Sequence, residues 1–126
     1  MELRKLKISN DGFSIELLLN DSMTANALWD SVPFESVNNI WGGEIYFSTP
    51  ISLGEEDSRE IFLVTDVAYW PPGNALCLFH DVTPISREGE IRLASPGNLV
   101  GSLISDSQVI TKFKAGDVLR ITRIKN

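Results

Sequence analysis

The sequence predicts a mainly β domain, a closed barrel of about eight strands capped by two short helices. Three observations lead there. Apolar and polar residues alternate with period two in short runs, as in Lys5-Leu6-Lys7-Ile8 and Phe13-Ser14-Ile15-Glu16-Leu17. Only two stretches have helical spacing, and both are brief. Closure removes the exposed edges that many short strands would otherwise leave.

The elements follow in order. Residues 5–8 and 13–19 form an opening hairpin with one buried face. Asn10-Asp11-Gly12 joins them and supplies a left-handed turn position. Asn20-Asp21-Ser22 offers helix-capping side chains, with Thr24 a later candidate. Ala25, Leu28, Trp29 and Val32 then fall at i, i+3, i+4 and i+7, a helix near 25–31 that Pro33 stops. Residues 34–43 read as a loop. Residues 44–47 are a strand, with Glu44 and Tyr46 on one face and Ile45 and Phe47 on the other. Thr49-Pro50 ends it, and residues 54–58 are a solvated excursion. Residues 60–64 are a strand, and strands 67–70 and 75–79 flank the turn Pro71-Pro72-Gly73. Residues 80–97 read as the longest irregular stretch, where function often sits. Residues 98–104 return to a strand. Val109, Ile110 and Phe113 mark a second helix near 107–113, closing at Gly116, and 118–124 are the final strand.

At 126 residues the chain predicts a single domain, 1–126. Hydrophobic content of 43% and charged content of 22% exclude the disordered class. The apolar runs are too short to cross a bilayer, and no apolar signal core follows the charged start. The expectation is a soluble, cytoplasmic protein without a membrane partner. The net charge of −6 is uneven: between Ser9 and Thr111 lie 15 acidic residues and three basic ones, Arg59, Arg87 and Arg92. The ends are basic, so pairing them makes a basic stripe on an acidic body. Such a stripe is what a nucleic-acid footprint requires. The acidic body repels phosphate at long range, so the stripe reads as a solvated strand face and no nucleic acid is expected.

The lone Cys77 excludes a disulfide within the chain and a cysteine-based metal site. Between Leu76 and Leu78 it reads as a small core residue. His80, three positions on, points to the opposite face of a strand and is no partner for it. One histidine leaves a Ser-His triad or a His-based metal site without residues, and no phosphate loop or nucleophile elbow is present. No metal or cofactor is expected.

The best chemical pair is Glu44 with Tyr46. If their shared face is the barrel interior, the carboxylate is desolvated and its pKa rises, making an acid or a ligand anchor. If that face is the solvent side, Glu44 is a rim residue under Tyr46. Trp41, Tyr69 and Trp70 are candidates for an aromatic wall, with core packing the competing role. Asn38, Asn98 and Arg92 are candidate polar contacts near the same loops, Arg92 with a structural ion pair as its alternative.

Several segments, taken in order, resemble one prokaryotic family of small, single-domain cyclophilin-like proteins of unknown function. They are Pro33-Phe34-Glu35-Ser36, Trp41-Gly42-Gly43-Glu44-Ile45-Tyr46-Phe47-Ser48-Thr49-Pro50, Asp66-Val67-Ala68-Tyr69-Trp70-Pro71-Pro72-Gly73, Ala75-Leu76-Cys77-Leu78-Phe79, Thr83-Pro84-Ile85-Ser86, and Ala94-Ser95-Pro96 with Asn98 and Gly101. The resemblance implies a small eight-stranded barrel with two helices. His80-Asp81 departs from it, since such proteins tend to carry Phe-Gly there. The leading functional expectation is a binding module that holds a small molecule or peptide segment in an aromatic-lined pocket. The rivals are a diverged enzyme, a prolyl isomerase or small hydrolase using Glu44, and an accessory subunit of a carboxylase or 5-oxoprolinase. Oligomeric state stays open.

Cyclophilins that isomerise prolyl bonds carry a Phe-His-Arg motif, and here Phe79-His80-Asp81 puts an acid where the cation belongs. Without a cation to polarise the prolyl amide, the twisted transition state loses its electrostatic support. A peptide isomerisation assay is therefore expected to show little or no activity. Turnover at cyclophilin-like rates would refute this and make Arg92 the first suspect.

Overall fold

In the computed structural model, which describes residues 3–125, the period-two runs become strands. The first two, β1 (Lys5–Ser9) and β2 (Ser14–Leu19), form the expected hairpin. Leu6 and Ile8 face Leu17 and Ile15 across the ladder, and all four are fully buried. The turn is closed by a side chain rather than a left-handed residue. Asn10 Oδ1 accepts hydrogen bonds from the Gly12 and Phe13 amides at 2.8 and 3.0 Å, and Gly12 has no positive φ.

Helix α1 (Met23–Ser31) starts where Ser22 Oγ accepts from the Ala25 amide at 3.0 Å. The Met23 and Thr24 amides, which a first turn leaves unpaired, donate to Glu56 at 2.9 Å each. The excursion 54–58 is thus a capping arm. Asn98 holds it in place, donating to Gly54 O and accepting from the Glu56 amide.

The stretch expected as a loop, 34–43, is two further strands, β3 (Phe34–Val37) and β4 (Asn39–Trp41). Then follow β5 (Glu44–Ser48), β6 (Arg59–Phe62), β7 (Asp66–Trp70), a 3-10 turn (Pro71–Gly73) and β8 (Ala75–Phe79). The irregular stretch expected over 80–97 ends early, because β9 runs from Ile91 to Leu103. A short 3-10 helix (Ser107–Lys112) sits at the second expected helix, and β10 (Val118–Arg123) ends the sheet.

Ten strands, rather than eight, form one sheet in the order β3-β10-β1-β2-β9-β7-β8-β5-β4, with β6 attached to β9. The ladders are antiparallel, and they make a path with two ends, not a hydrogen-bonded ring. Those ends are β3 and β4, which are consecutive in the chain and separated only by Asn38. Asn38 is buried at this corner, where its backbone and side chain bond to residues 114–117.

The termini pair as expected: β1 lies against β10, with Ile8 opposite Ile121 and Lys7 opposite Thr122. The basic stripe is balanced locally. Lys7 faces Glu16 on its other side, and Arg120 pairs with Glu35 at 2.8 Å. Arg123 turns to the helix instead, stacking 4.3 Å over the Trp29 ring and donating to Trp29 O. No helix among the described residues is long and apolar enough to cross a membrane.

The main core fills one face of the sheet with Leu6, Ile15, Leu28, Phe47, Leu76 and Phe113 among others. A smaller core lies on the opposite face: Phe62, Ala68, Cys77, Phe79, Ile91 and Leu93. The first half of β9 makes this possible. It pairs with β6 and folds the pair over β7, β8 and β5, while its second half pairs with β7 and β2.

Glu56→Ala is expected to lower stability by about 1 kcal/mol, the usual worth of a helix cap, read from denaturant unfolding. The loss should persist at high salt, because three directed hydrogen bonds, from the Met23 and Thr24 amides and the Thr24 hydroxyl, are removed rather than a diffuse charge. No change in the unfolding midpoint would reject the capping role.

Candidate functional site

Strand alternation decides which side chains meet. In β5, Ile45 and Phe47 enter the main core, while Glu44 and Tyr46 turn to the other face. Across the ladders, Glu44 lies opposite Trp41 of β4 and Phe79 of β8, and Tyr46 lies opposite Cys77. Trp70 of β7 shares this face, and Leu93 and Ala94 of β9 close over it. Trp41, Glu44, Tyr46, Trp70, Leu93 and Ala94 line a concavity of about 150 Å³. It lies on the face opposite the main core, and Glu44 is nonetheless buried there.

The backbone around Glu44 is tightly fixed. A Cβ on Gly43 would stand 2.2 Å from the Asp81 carbonyl carbon, so only glycine lets the two segments touch. Gly43 donates to Val82 O at 2.8 Å and accepts from the His80 amide at 2.9 Å. The residues 80–90 therefore clamp the turn that presents Trp41 and Glu44. Within that stretch, Ser86 Oγ accepts from the Thr83 and Arg92 amides at 3.0 Å each. On the far wall, Trp70 Nε1 donates to Ser95 Oγ at 2.8 Å, tying the indole to β9.

Glu44 is 4% exposed, and burial raises its pKa from the ordinary value of 4.5 to about 7. A hydrogen bond from the Cys77 thiol opposes that rise without cancelling it. Burial first, and the neighbouring carboxylate second, push the Cys77 thiol well above its ordinary value, so it stays protonated and unreactive. Among the described residues, Glu44 Oε1 has no hydrogen-bond partner. A buried carboxylate oxygen without a donor is costly, and this one belongs to a side chain lining the concavity.

Four of the eight sequence candidates meet here: Trp41, Glu44, Tyr46 and Trp70. Tyr69 does not. It follows its own alternation into the main core, with no exposure, and its hydroxyl bonds to Leu53 N, Ile51 O and Asn74 Oδ1. The aromatic pair at the Pro71-Pro72-Gly73 turn is thus split, one ring to the core and one to the pocket. Asn38 and Asn98 were expected at the rim and are instead buried structural clamps, at the β3–β4 corner and at the capping arm. Arg92 takes the structural alternative, bridging Glu60 at 2.6 Å and Glu90 at 2.7 Å.

Sequence reading missed Leu93, Ala94 and Cys77. The alternation Ile91-Arg92-Leu93 is a usable strand signal, but Pro96-Gly97 hides it. The contact of Cys77 with Glu44 depends on β5–β8 register, which a single strand does not encode. Among the described residues no cluster of His, Cys, Asp and Glu suits a metal ion.

A family model described as cyclophilin-like matches residues 4–122. The chain is also similar to the solution structure of a hypothetical protein from Archaeoglobus fulgidus, with 33% identity and a TM-score of 0.82. That alignment covers 97% of this chain and 95% of the archaeal one. No curated protein matches.

Because the folded pKa of Glu44 is raised, the folded state holds its proton more tightly than the unfolded chain does. Its effect on stability is most favourable below about pH 4.5 and is lost as pH rises to about 7. The loss is on the order of 3 kcal/mol at most. Glu56 acts with the opposite sign. Its pKa is lowered, chiefly by the Thr24 hydroxyl, so its contribution is present at neutral pH and lost in acid. Glu44→Gln is expected to flatten the decline between about pH 4.5 and 7 and to unfold at higher temperature than the parent above that range. A parallel pH profile in the variant would show that Glu44 is not desolvated.

Proposed function

The chain belongs to the cyclophilin-like family, and from that premise we propose that it is a binding module, holding a small molecule or a peptide segment in the concavity beside Glu44. One observation supports this above the others: a buried carboxylate oxygen without a donor in a recess walled by Trp41, Tyr46 and Trp70. A ligand donor would complete the site, and the aromatic faces would hold its apolar part. Core packing alone does not account for an acid at this position, since an apolar side chain would fill it at lower cost.

The proposal places the ligand outside the main core. We read the sheet as a barrel whose seam is the run from β3 to β4, bent at Asn38. Its interior is filled by side chains, so the outer recess under the β6–β9 arm is where a ligand has room. The roles are then distinct. Glu44 accepts the ligand's donor, Trp41 and Trp70 form the walls, Tyr46 forms the floor edge, and Leu93 caps the apolar end.

The test is a screen of small molecules and short peptides by tryptophan fluorescence, since Trp41 and Trp70 both line the recess. Ligands that shift the emission are expected to lose roughly tenfold in affinity in Glu44→Gln, the worth of one charge-assisted hydrogen bond. Tyr46→Phe should weaken them less, and Arg92→Ala should leave them unchanged. Ligands indifferent to Glu44→Gln would remove the residue-level basis of the proposal.

A further inference from the structure

We propose that the ligand group seated in this recess is an alkylammonium, its charged head against Glu44 Oε1 and its stem between Trp41, Tyr46 and Trp70. This deepens the binding reading above and rests on it. The groups facing Glu44 are Trp41 from β4, Tyr46 from β5, Trp70 from β7, Cys77 from β8, and Leu93 and Ala94 from β9. Only Tyr46 and Cys77 among them are titratable, and no basic side chain is present. The thiol is a weak donor, and Oε1 takes no hydrogen bond from it.

The choice of ligand charge follows from this lining. An anionic head would meet a carboxylate with no cation to offset it. A neutral amide would supply a hydrogen bond but leave the carboxylate's charge unbalanced among apolar neighbours. An ammonium supplies both donor and charge, and the three aromatic rings add cation–π attraction.

Two of the three central cations are engaged elsewhere. Arg92 is held by Glu60 and Glu90, and Arg59 lies 5.8 Å over the Phe62 ring. The 15 acidic residues between Ser9 and Thr111 give the body a field that draws cations inward. A volume of about 150 Å³ admits a small head and a few methylenes. The burial-raised pKa of Glu44 adds a signature: the ammonium binds the ionised form, so its affinity rises as pH climbs through about 7.

The experiment is isothermal titration calorimetry with n-butylammonium, 1-pentanol and butanamide, at pH values on either side of about 7. On the alkaline side n-butylammonium is expected to bind about tenfold or more tightly than either neutral probe. Glu44→Gln should abolish that preference while keeping the parent circular dichroism spectrum. Trp70→Leu is the second variant, and it should weaken the ammonium more than the alcohol. An acetylated, amidated Gly-Lys-Gly peptide distinguishes the source: tighter binding than n-butylammonium assigns a lysyl side chain, weaker binding a free amine. Equal affinity for all three small probes overturns the ammonium inference and leaves the binding module standing. Binding by none of the probes, nor by any screened ligand, overturns both.

Discussion

The candidate site depends on one constraint: β8 is buried on both faces. All five of its residues, Ala75 to Phe79, are buried, so the strand needs cover above and below. The main core covers the side of Leu76 and Leu78. The other side, with Cys77 and Phe79, would face water if β9 were an ordinary strand. Instead β9 continues past the sheet and turns back with β6. The crossing is close. A Cβ on Gly97 would stand 2.7 Å from Leu93 Cδ1 and 3.0 Å from Tyr69 O, so any larger residue there would push Leu93 aside and crowd the β7 backbone. The arm then brings Phe62, Ile91 and Leu93 down onto Phe79, with the Phe62 and Phe79 rings 5.7 Å apart.

Magnitudes explain why the arm tolerates an acid beneath it. Burying each large apolar side chain contributes about 1.5–3 kcal/mol. Phe62, Phe79, Ile91 and Leu93 together outweigh a Glu44 penalty on the order of 3 kcal/mol. The acid is therefore carried by its neighbours and does not decide the fold. Its cost is concentrated at one oxygen, which the protein leaves without a donor. The same arm that creates the second core creates the recess, because Leu93 and Ala94 stop short of Trp41 and leave the space between them.

Much of this was legible in the sequence, and the misses have physical causes. Period-two runs, with the continuous apolar run 75–79 beside the Pro71-Pro72-Gly73 turn, located eight strands and the pairing of the ends. The β3–β4 run was obscured by Asn38-Asn39 and Gly42-Gly43, where Asn38 is a corner, Asn39 opens β4 and the glycines make only the tight turn into β5. The start of β9 was obscured by Pro96 and Gly97, tolerated at a register shift where the partner strand slips. Ring closure was expected from the strand count, but the ladders form a path whose ends, β3 and β4, are not hydrogen-bonded to each other.

Tyr69 and Trp70 carry the sharper lesson. As neighbours in an extended strand they had to point to opposite faces. A rigid turn beside them fixes the direction of both without bringing them together. Tyr69 spends its hydroxyl on three partners and closes the main core, while Trp70 offers its ring to the recess and its Nε1 to Ser95. The same rule sorts Glu44 from Ile45 and Cys77 from Leu76. What it does not supply is the sidedness of the whole sheet. Whether the Glu44 face is inner or outer depends on which core is larger. That is settled by β1, β2, β10 and α1, which place their apolar residues on the Ile45 face. Glu44 is thus left on the face that only a thin arm covers, lining the recess and dry enough for its charge to matter.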